Sequence, residues 1–340
     1  MGVGLDIGSK TIKVVELTKD KDKFTLRSAG VVGYTGGEVE YLISDKEFAN
    51  LSDLIRKLFN DAKIRPKDIA LSLPESQVYT RQIKFPLLTD NEIISAVRWE
   101  AEQYIPIPLN EAIVQHVVLE RRENINPPEV LVLLVAAPRS LVEKYLKIVS
   151  GAGLNLVFAE TELLALTRSL GQPNQTVLIM DFGARSTDIA ISKSGSLIFS
   201  RSIPTAGEAF TRAVAKALGV GVQQAEEYKK AYGLSTKQES KVREAIDPIF
   251  RIVTDEIKKA IQFYTSEEKN PSGPPPSSLI LSGGTAGLPE SIPYLSKVLG
   301  LEVVIGNPFA KISLDPTTMK SLIPYAPLYS IAVGLAQREP

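Results

Sequence analysis

Two stretches of this chain follow one plan. VGLDIGSKTIKVVELT near the start and TVLIMDFGARSTDIAIS from Thr176 each read as a strand, an Asp-x-Gly turn and a second strand. Gly8 and Gly183 of the two turns lie 175 residues apart. A third β-rich segment follows each copy, KFTLRSAGVVGY after the first and SLIFSRSIP after the second. This repeat limits the architecture more than any other feature, because each copy is an open meander that needs further elements to cover it. The expected fold is α/β with two lobes built alike.

Between and after the repeats the pattern alternates. A helix is predicted over residues 48–62 from Leu51, Leu54, Ile55, Leu58 and Phe59, followed by the strand IALSLP. From Tyr79 the texture changes, with Pro86, Pro106 and Pro108 around a helix starting at Thr89 or Asp90. That segment, ending after VLVLLVAAP and a helix over residues 141–150, reads as an inserted subdomain. Helices dominate residues 208–268, with Pro248 expected to break them, and NPSGPPPSS reads as a surface loop. The strand LILSGG, a helix at residues 289–299, the strand LEVVIG and a last helical run complete the chain. The expected division is residues 1–78 for the first lobe, 79–153 for the insert, 154–172 for a return helix, 173–325 for the second lobe and 326–340 for a C-terminal helix returning to the first.

Composition excludes several functions. Lys plus Arg and Asp plus Glu both number 39, so no basic footprint for nucleic acid is present. One histidine, His116, and no cysteine remove most zinc sites and all thiol chemistry, and fit a reducing cytoplasm. The longest apolar run, VLVLLVAAP, is too short to span a bilayer. With no signal peptide, lipidation signal or basic amphipathic end, and a final helix running directly into AQREP, no direct membrane insertion is expected.

The turns suit phosphate, since glycine lets the backbone approach an oxyanion closely and Lys10 and Arg185 add charge. Asp6 and Asp181 would repel a phosphate chain unless a hydrated Mg²⁺ came between them. One Asp-x-Gly turn alone is an ordinary β-turn; two in matching settings carry weight. A third loop, LSGGTAGLPE, follows a strand and precedes a helix, which suits a nucleoside or an α-phosphate. In QQAEEYKKAYG, Glu226 and Lys229 share a helix face and could bracket an adenosine.

Taken together, GLDIGS, MDFGARSTDIAI, AEEYKKAYG, LSGGTAGLPE and SIAVGLA resemble the actin, Hsp70 and hexokinase superfamily. RQIKFPLLTDNEIISAVRWEAEQYIPIPLNEA, with EIKKAIQFY and LSGGTAGLPESIPYL, is similar to the PilM family of actin-like components of type IV pilus machines, related to FtsA. The resemblance implies a two-lobed actin-like fold with an FtsA-like insert, and ATP with Mg²⁺ as cofactors. It makes Gly8, Ser9 and Lys10 the first phosphate loop, and Gly183, Arg185 and Ser186 the second. Asp6 and Asp181 would hold the metal through water, Glu226 and Lys229 would flank adenosine, and Gly283, Gly284 and Thr285 would close the pocket. Glu162 would orient attacking water. Leu163 stands where relatives often carry proline, so hydrolysis is expected to be weak or absent.

The implied role is a cytoplasmic scaffold, held at the inner face of the membrane by the N-terminal tail of a PilN-type protein. Other platform proteins and self-association would follow. The expected tail contacts are Arg98, Trp99, Glu102, Ile105 and Ile107, in the helix and the YIPIPL segment of the insert. An FtsA-like division filament and a sugar-kinase-like enzyme share the nucleotide turns and stay open as alternatives.

Overall fold

The computed structural model describes residues 2–236, 240–266 and 274–338. β1 (Gly2–Ile7), β2 (Thr11–Asp20) and β3 (Lys23–Gly33) form the opening antiparallel meander. α1 (Asp45–Asp61) starts with a reciprocal cap: Ser44 Oγ accepts from the Glu47 N–H while the Glu47 carboxylate accepts from the Ser44 N–H. Phe48, Leu51, Ile55, Leu58 and Phe59 recur at helical spacing along its buried face. β4 (Asp68–Leu73) then pairs parallel with β1.

The inserted unit is β5 (Tyr79–Pro86), α2 (Asp90–Tyr104), β6 (Ala112–Arg122) and β7 (Glu129–Pro138), a three-stranded sheet with the apolar VLVLLVAAP strand in its middle. α3 (Arg139–Gly151), expected in this unit, packs elsewhere. Its Leu141, Tyr145, Ile148 and Val149 join the first-lobe core with α1. The physical reason is its apolar stripe, which has its matching surface on α1 and not on the small insert sheet. β8 (Asn155–Thr161) pairs parallel with β4, and α4 (Glu162–Leu170) leads to the second lobe.

There β9 (Thr176–Phe182), β10 (Thr187–Lys193) and β11 (Ser196–Ile203) repeat the meander. α5 (Gly207–Leu218), α6 (Val222–Tyr232) and α7 (Ser240–Ser266) cover it, and β12 (Ser278–Ser282), α8 (Ser291–Leu299) and β13 (Glu302–Ile305) add two parallel strands. The order β3-β2-β1-β4-β8 in one sheet is thus matched by β11-β10-β9-β12-β13 in the other. The duplication seen in the turns extends to whole sheets.

Two further expectations are corrected. α7 runs through Pro248 without a break. Pro248 and Glu244, whose carbonyl loses its partner, are both exposed, so water can satisfy that carbonyl, while Val242, Ile246, Phe250, Val253 and Ile257 keep a buried stripe on the other side. The chain also rejoins the first lobe before residue 326: β14 (Ile312–Ser313) pairs with β3, and Phe309 and Ile312 sit in the core under it. Of NPSGPPPSS, residues 270–273 lie outside the described residues, residues 274–277 are irregular, and Ser278 already belongs to β12.

After α9 (Pro316–Leu322), α10 (Ser330–Ala336) is buried along its whole length. It lies on β1, β2 and β4, α4 lies on β9, β10 and β11, and the two helices pack together between the sheets. Leu163, Leu166, Leu170, Ile331 and Leu335 fill that junction. Each large aliphatic side chain buried there contributes on the order of 2 kcal/mol. The two hairpin turns are thereby held facing each other across a cleft.

Candidate functional site

The two turns close in the same way. The Gly8 N–H donates to the Thr11 carbonyl at 3.1 Å and the Gly183 N–H to the Ser186 carbonyl at 3.1 Å. Those two amides are therefore occupied by the turns themselves. At Gly283 of the third loop φ is +87°, and a Cβ there would stand 2.4 Å from Asp181 Oδ1. Thr285 ties this loop to the second turn, its N–H donating to the Phe182 carbonyl at 2.8 Å and its Oγ1 to the Gly183 carbonyl at 2.7 Å.

The hairpins differ in charge. Pairing places Lys13 opposite Asp6 on β1 and β2, and Asp188 opposite Asp181 on β9 and β10. In the first, Lys13 Nζ donates to Asp6 Oδ2 at 2.9 Å and Ser72 Oγ to Oδ1 at 3.1 Å, so the buried Asp6 is neutralised and bonded on both oxygens. Burial works against the Lys13 charge, but Asp6, with help from Asp181 and Glu162, raises its pKa above the ordinary value. In the second, two acids face each other. Ser186 Oγ donates to Asp188 Oδ2 at 2.6 Å, while Asp188 Oδ1 is buried without a hydrogen-bond partner. Burial, then the Asp188 charge, pushes Asp181 up to about 7; burial pushes Asp188 up to about 7 as well. Glu162, donated to by the Glu75 N–H at 3.2 Å, is held well above the carboxylate range by burial and by Asp188, Asp6 and Asp181.

A carboxyl with a raised folded pKa binds its proton more tightly folded than unfolded, so its contribution to stability is lost as pH rises from 3.8 to about 7. Above that window the ionised pair opposes the fold. Asp188→Asn is expected to melt several degrees higher than the parent at pH 8 in EDTA, with a smaller gain at pH 5. A gain that did not shrink at the lower pH, measured by thermal denaturation, would contradict this origin.

Asp6, Gly8, Ser9, Lys10, Glu162, Asp181, Gly183, Arg185, Ser186, Glu226, Lys229, Gly283, Gly284 and Thr285 all line one cleft of about 1210 Å³ between the lobes. Lys229 is buried, and its Nζ pairs with Glu226 at 2.6 Å and donates to the Gly207 carbonyl at 3.1 Å and Thr211 Oγ1 at 3.0 Å. Its charge therefore braces α6 against α5. Sequence reasoning missed Lys13 and Asp188, which also line the cleft. Strand register could have found them, since each lies seven residues after the turn acid, directly across the hairpin.

A family profile described as type IV pilus assembly protein PilM matches residues 4–340. The chain belongs to the PilM family. A structure described as the PilM-PilN type IV pilus biogenesis complex is similar to this PilM-family chain at 27% identity and TM-score 0.86, covering 100% of this chain and 99% of that one. Cell division protein FtsA of Bacillus subtilis (strain 168) is 23% identical over 90% of this chain and 78% of its own length. MreB5 of Spiroplasma citri bound to ADP shares the fold at TM-score 0.55 and 16% identity, covering 98% of this chain and 94% of that one. The fold is that of the actin-like ATPases.

The PilM-family insert separates its five expected contact residues. Arg98, Trp99 and Glu102 are exposed on α2, Trp99 at 64%. Ile105 is buried in the insert's own core with Ile93, Val97 and Ala101, and Ile107 packs against that core. Ile105 therefore reads as structural: it caps the end of α2, its N–H donating to the Ala101 carbonyl at 3.0 Å. Ile94 and Tyr104 are also exposed on the same helix.

Proposed function

We propose that this chain binds Mg·ATP between its lobes and serves as a scaffold of the inner-membrane platform of a type IV pilus or related secretion system. The observation that carries the nucleotide reading is the unequal pair of hairpins around one cleft. One acid is already neutralised by Lys13, whereas Asp181 and Asp188 face each other with a buried oxygen left unpaired. That uncompensated pair fits a hard divalent cation with oxygen ligands. No group of three or more His, Cys, Asp or Glu side chains that could hold a metal stands together among the described residues, so phosphate and water oxygens would complete the shell. Bound there, Mg²⁺ would neutralise the phosphate chain beside the acids. Lys10 and Arg185 would contact phosphate and the third loop would close over the nucleoside.

Glu162 would orient water near the phosphates. Isothermal titration with Mg·ATP, repeated in EDTA, tests this reading, and absence of heat under both conditions would remove it.

The PilM-PilN complex supports a PilN-type partner, and the segment proposed to dock is that protein's N-terminal tail, which would hold the chain at the cytoplasmic face. A free tail is disordered and gains most from a preformed surface with an apolar anchor. The exposed Trp99 with Arg98 and Glu102 beside it provides one. Trp99→Ala is expected to weaken tail-peptide binding about tenfold, about 1.4 kcal/mol, with an unchanged melting temperature. Wild-type anisotropy titration by this variant would place the tail elsewhere. Ile105→Asp is expected instead to unfold the insert, because it buries a charge among apolar side chains.

A further inference from the structure

Four charged side chains join the lobes beside the phosphate turns. Lys10, on the turn between β1 and β2, pairs with Glu208 of α5 at 2.7 Å. Arg185, on the turn between β9 and β10, pairs with Glu38 of the first lobe at 2.9 Å and reaches Glu208 at 3.4 Å. Each lobe thus supplies one cation from its glycine turn and one carboxylate for the other lobe's cation. Glu208 is well placed for this. It stands in the first turn of α5, where the helix dipole favours an anion, and its N–H donates to the Ala184 carbonyl at 2.7 Å, which ties α5 to the second turn. Its neighbours Lys10 and Arg185 and the more distant Arg212 draw its pKa down despite partial burial.

The cations engaged are the two that a phosphate chain would contact. We propose that Glu38 and Glu208 form an exchangeable latch: they hold the lobes together through Lys10 and Arg185, and a nucleotide's phosphates displace them and release the lobes at this point. The inference rests on the nucleotide reading above and adds its regulation. Carboxylate and phosphate are alike in charge and in accepting from these donors, so the two claims on Lys10 and Arg185 compete. A phosphate chain entering while both carboxylates stayed would lie beside two uncompensated anions. The pairs are partly exposed, and such pairs are weak, as an exchangeable contact must be.

The latch makes a counter-intuitive demand, that removing acids from the site tightens binding. Kd for Mg·ATP is measured by titration calorimetry for the parent and for the Glu38→Gln/Glu208→Gln double variant, with circular dichroism to show that both are folded. Because the chain has no cysteine, Lys57→Cys and Lys241→Cys also allow a pair of spin labels, one on each lobe, for distance measurement. The latch predicts at least tenfold tighter Mg·ATP binding by the double variant. It also predicts a change in the inter-lobe distance on adding ATP but not adenosine, with the double variant already showing the shifted distance without nucleotide. If the parent binds and the double variant binds equally or more weakly, the latch is overturned and the nucleotide reading stands. Binding by the double variant alone supports the latch. Binding by neither overturns both.

Discussion

Asp181→Asn is expected to abolish the Mg²⁺-dependent part of ATP binding, raising Kd by about a hundredfold, about 2.8 kcal/mol. The two hairpins explain why this acid matters more than its counterpart. Asp6 already receives Lys13 at 2.9 Å and Ser72 at 3.1 Å, so its charge is balanced within the first lobe. Asp181 faces a second carboxylate, and only a cation or a proton relieves that pair. Replacing Asp181 by asparagine keeps the shape and removes the demand for the cation. The variant should bind ATP equally with Mg²⁺ and with EDTA, at the weaker affinity of the parent in EDTA. A variant that kept the parent's Mg²⁺ dependence would place the metal elsewhere. Asp6→Asn, by contrast, leaves Lys13 without its partner and should cost stability as well as affinity.

Gly334→Ala is expected to destabilise the protein by about 3 kcal/mol or more without touching the cleft. α10 and α4 cross between the sheets, and a Cβ built on Gly334 would stand 1.9 Å from the Ala165 carbonyl oxygen. β1 makes the same demand from the other side, since a Cβ on Gly4 would meet the Ala332 carbonyl oxygen at 2.1 Å. Close backbone approach replaces side-chain packing here, so one methyl group has to push apart a helix buried along its whole length. Gly287→Ala is the control: nothing lies within 4 Å of its Cβ position, and the change should stay within about 0.5 kcal/mol. Denaturant melts of the two variants check the contrast, and equal midpoints would show that the helix junction can relax.

Much of the architecture was legible because it rests on local pattern. The strand–turn–strand repeat, the helical spacing of Leu51, Ile55 and Leu58, and the apolar β7 run are short-range signals that burial and backbone chemistry impose directly. The expected helix start at Thr89 or Asp90 also rests on local chemistry, since Thr89 caps α2 and Glu92 returns the bond. Pro248 misled for the same reason. Its local cost is real, but a buried stripe on both sides carries α7 through it.

The sequence by itself determined the duplicated hairpins, their glycine turns and acids, the α/β class and the family, since all of these are encoded in contiguous residues. Tertiary structure alone decided which residues far apart in the chain meet. Packing brings Ser72 of β4 onto Asp6, so that acid is satisfied on both oxygens, whereas Asp181 is left facing Asp188. Packing assigned α3 to the first lobe, put Ile105 in the insert's core while leaving Trp99 exposed, and set the carboxylates of Glu208 and Glu38 on Lys10 and Arg185. The partners in the latch stand 147 and 198 residues apart, a separation across which no local pattern speaks and only the closing of two lobes on α4 and α10 brings charges together.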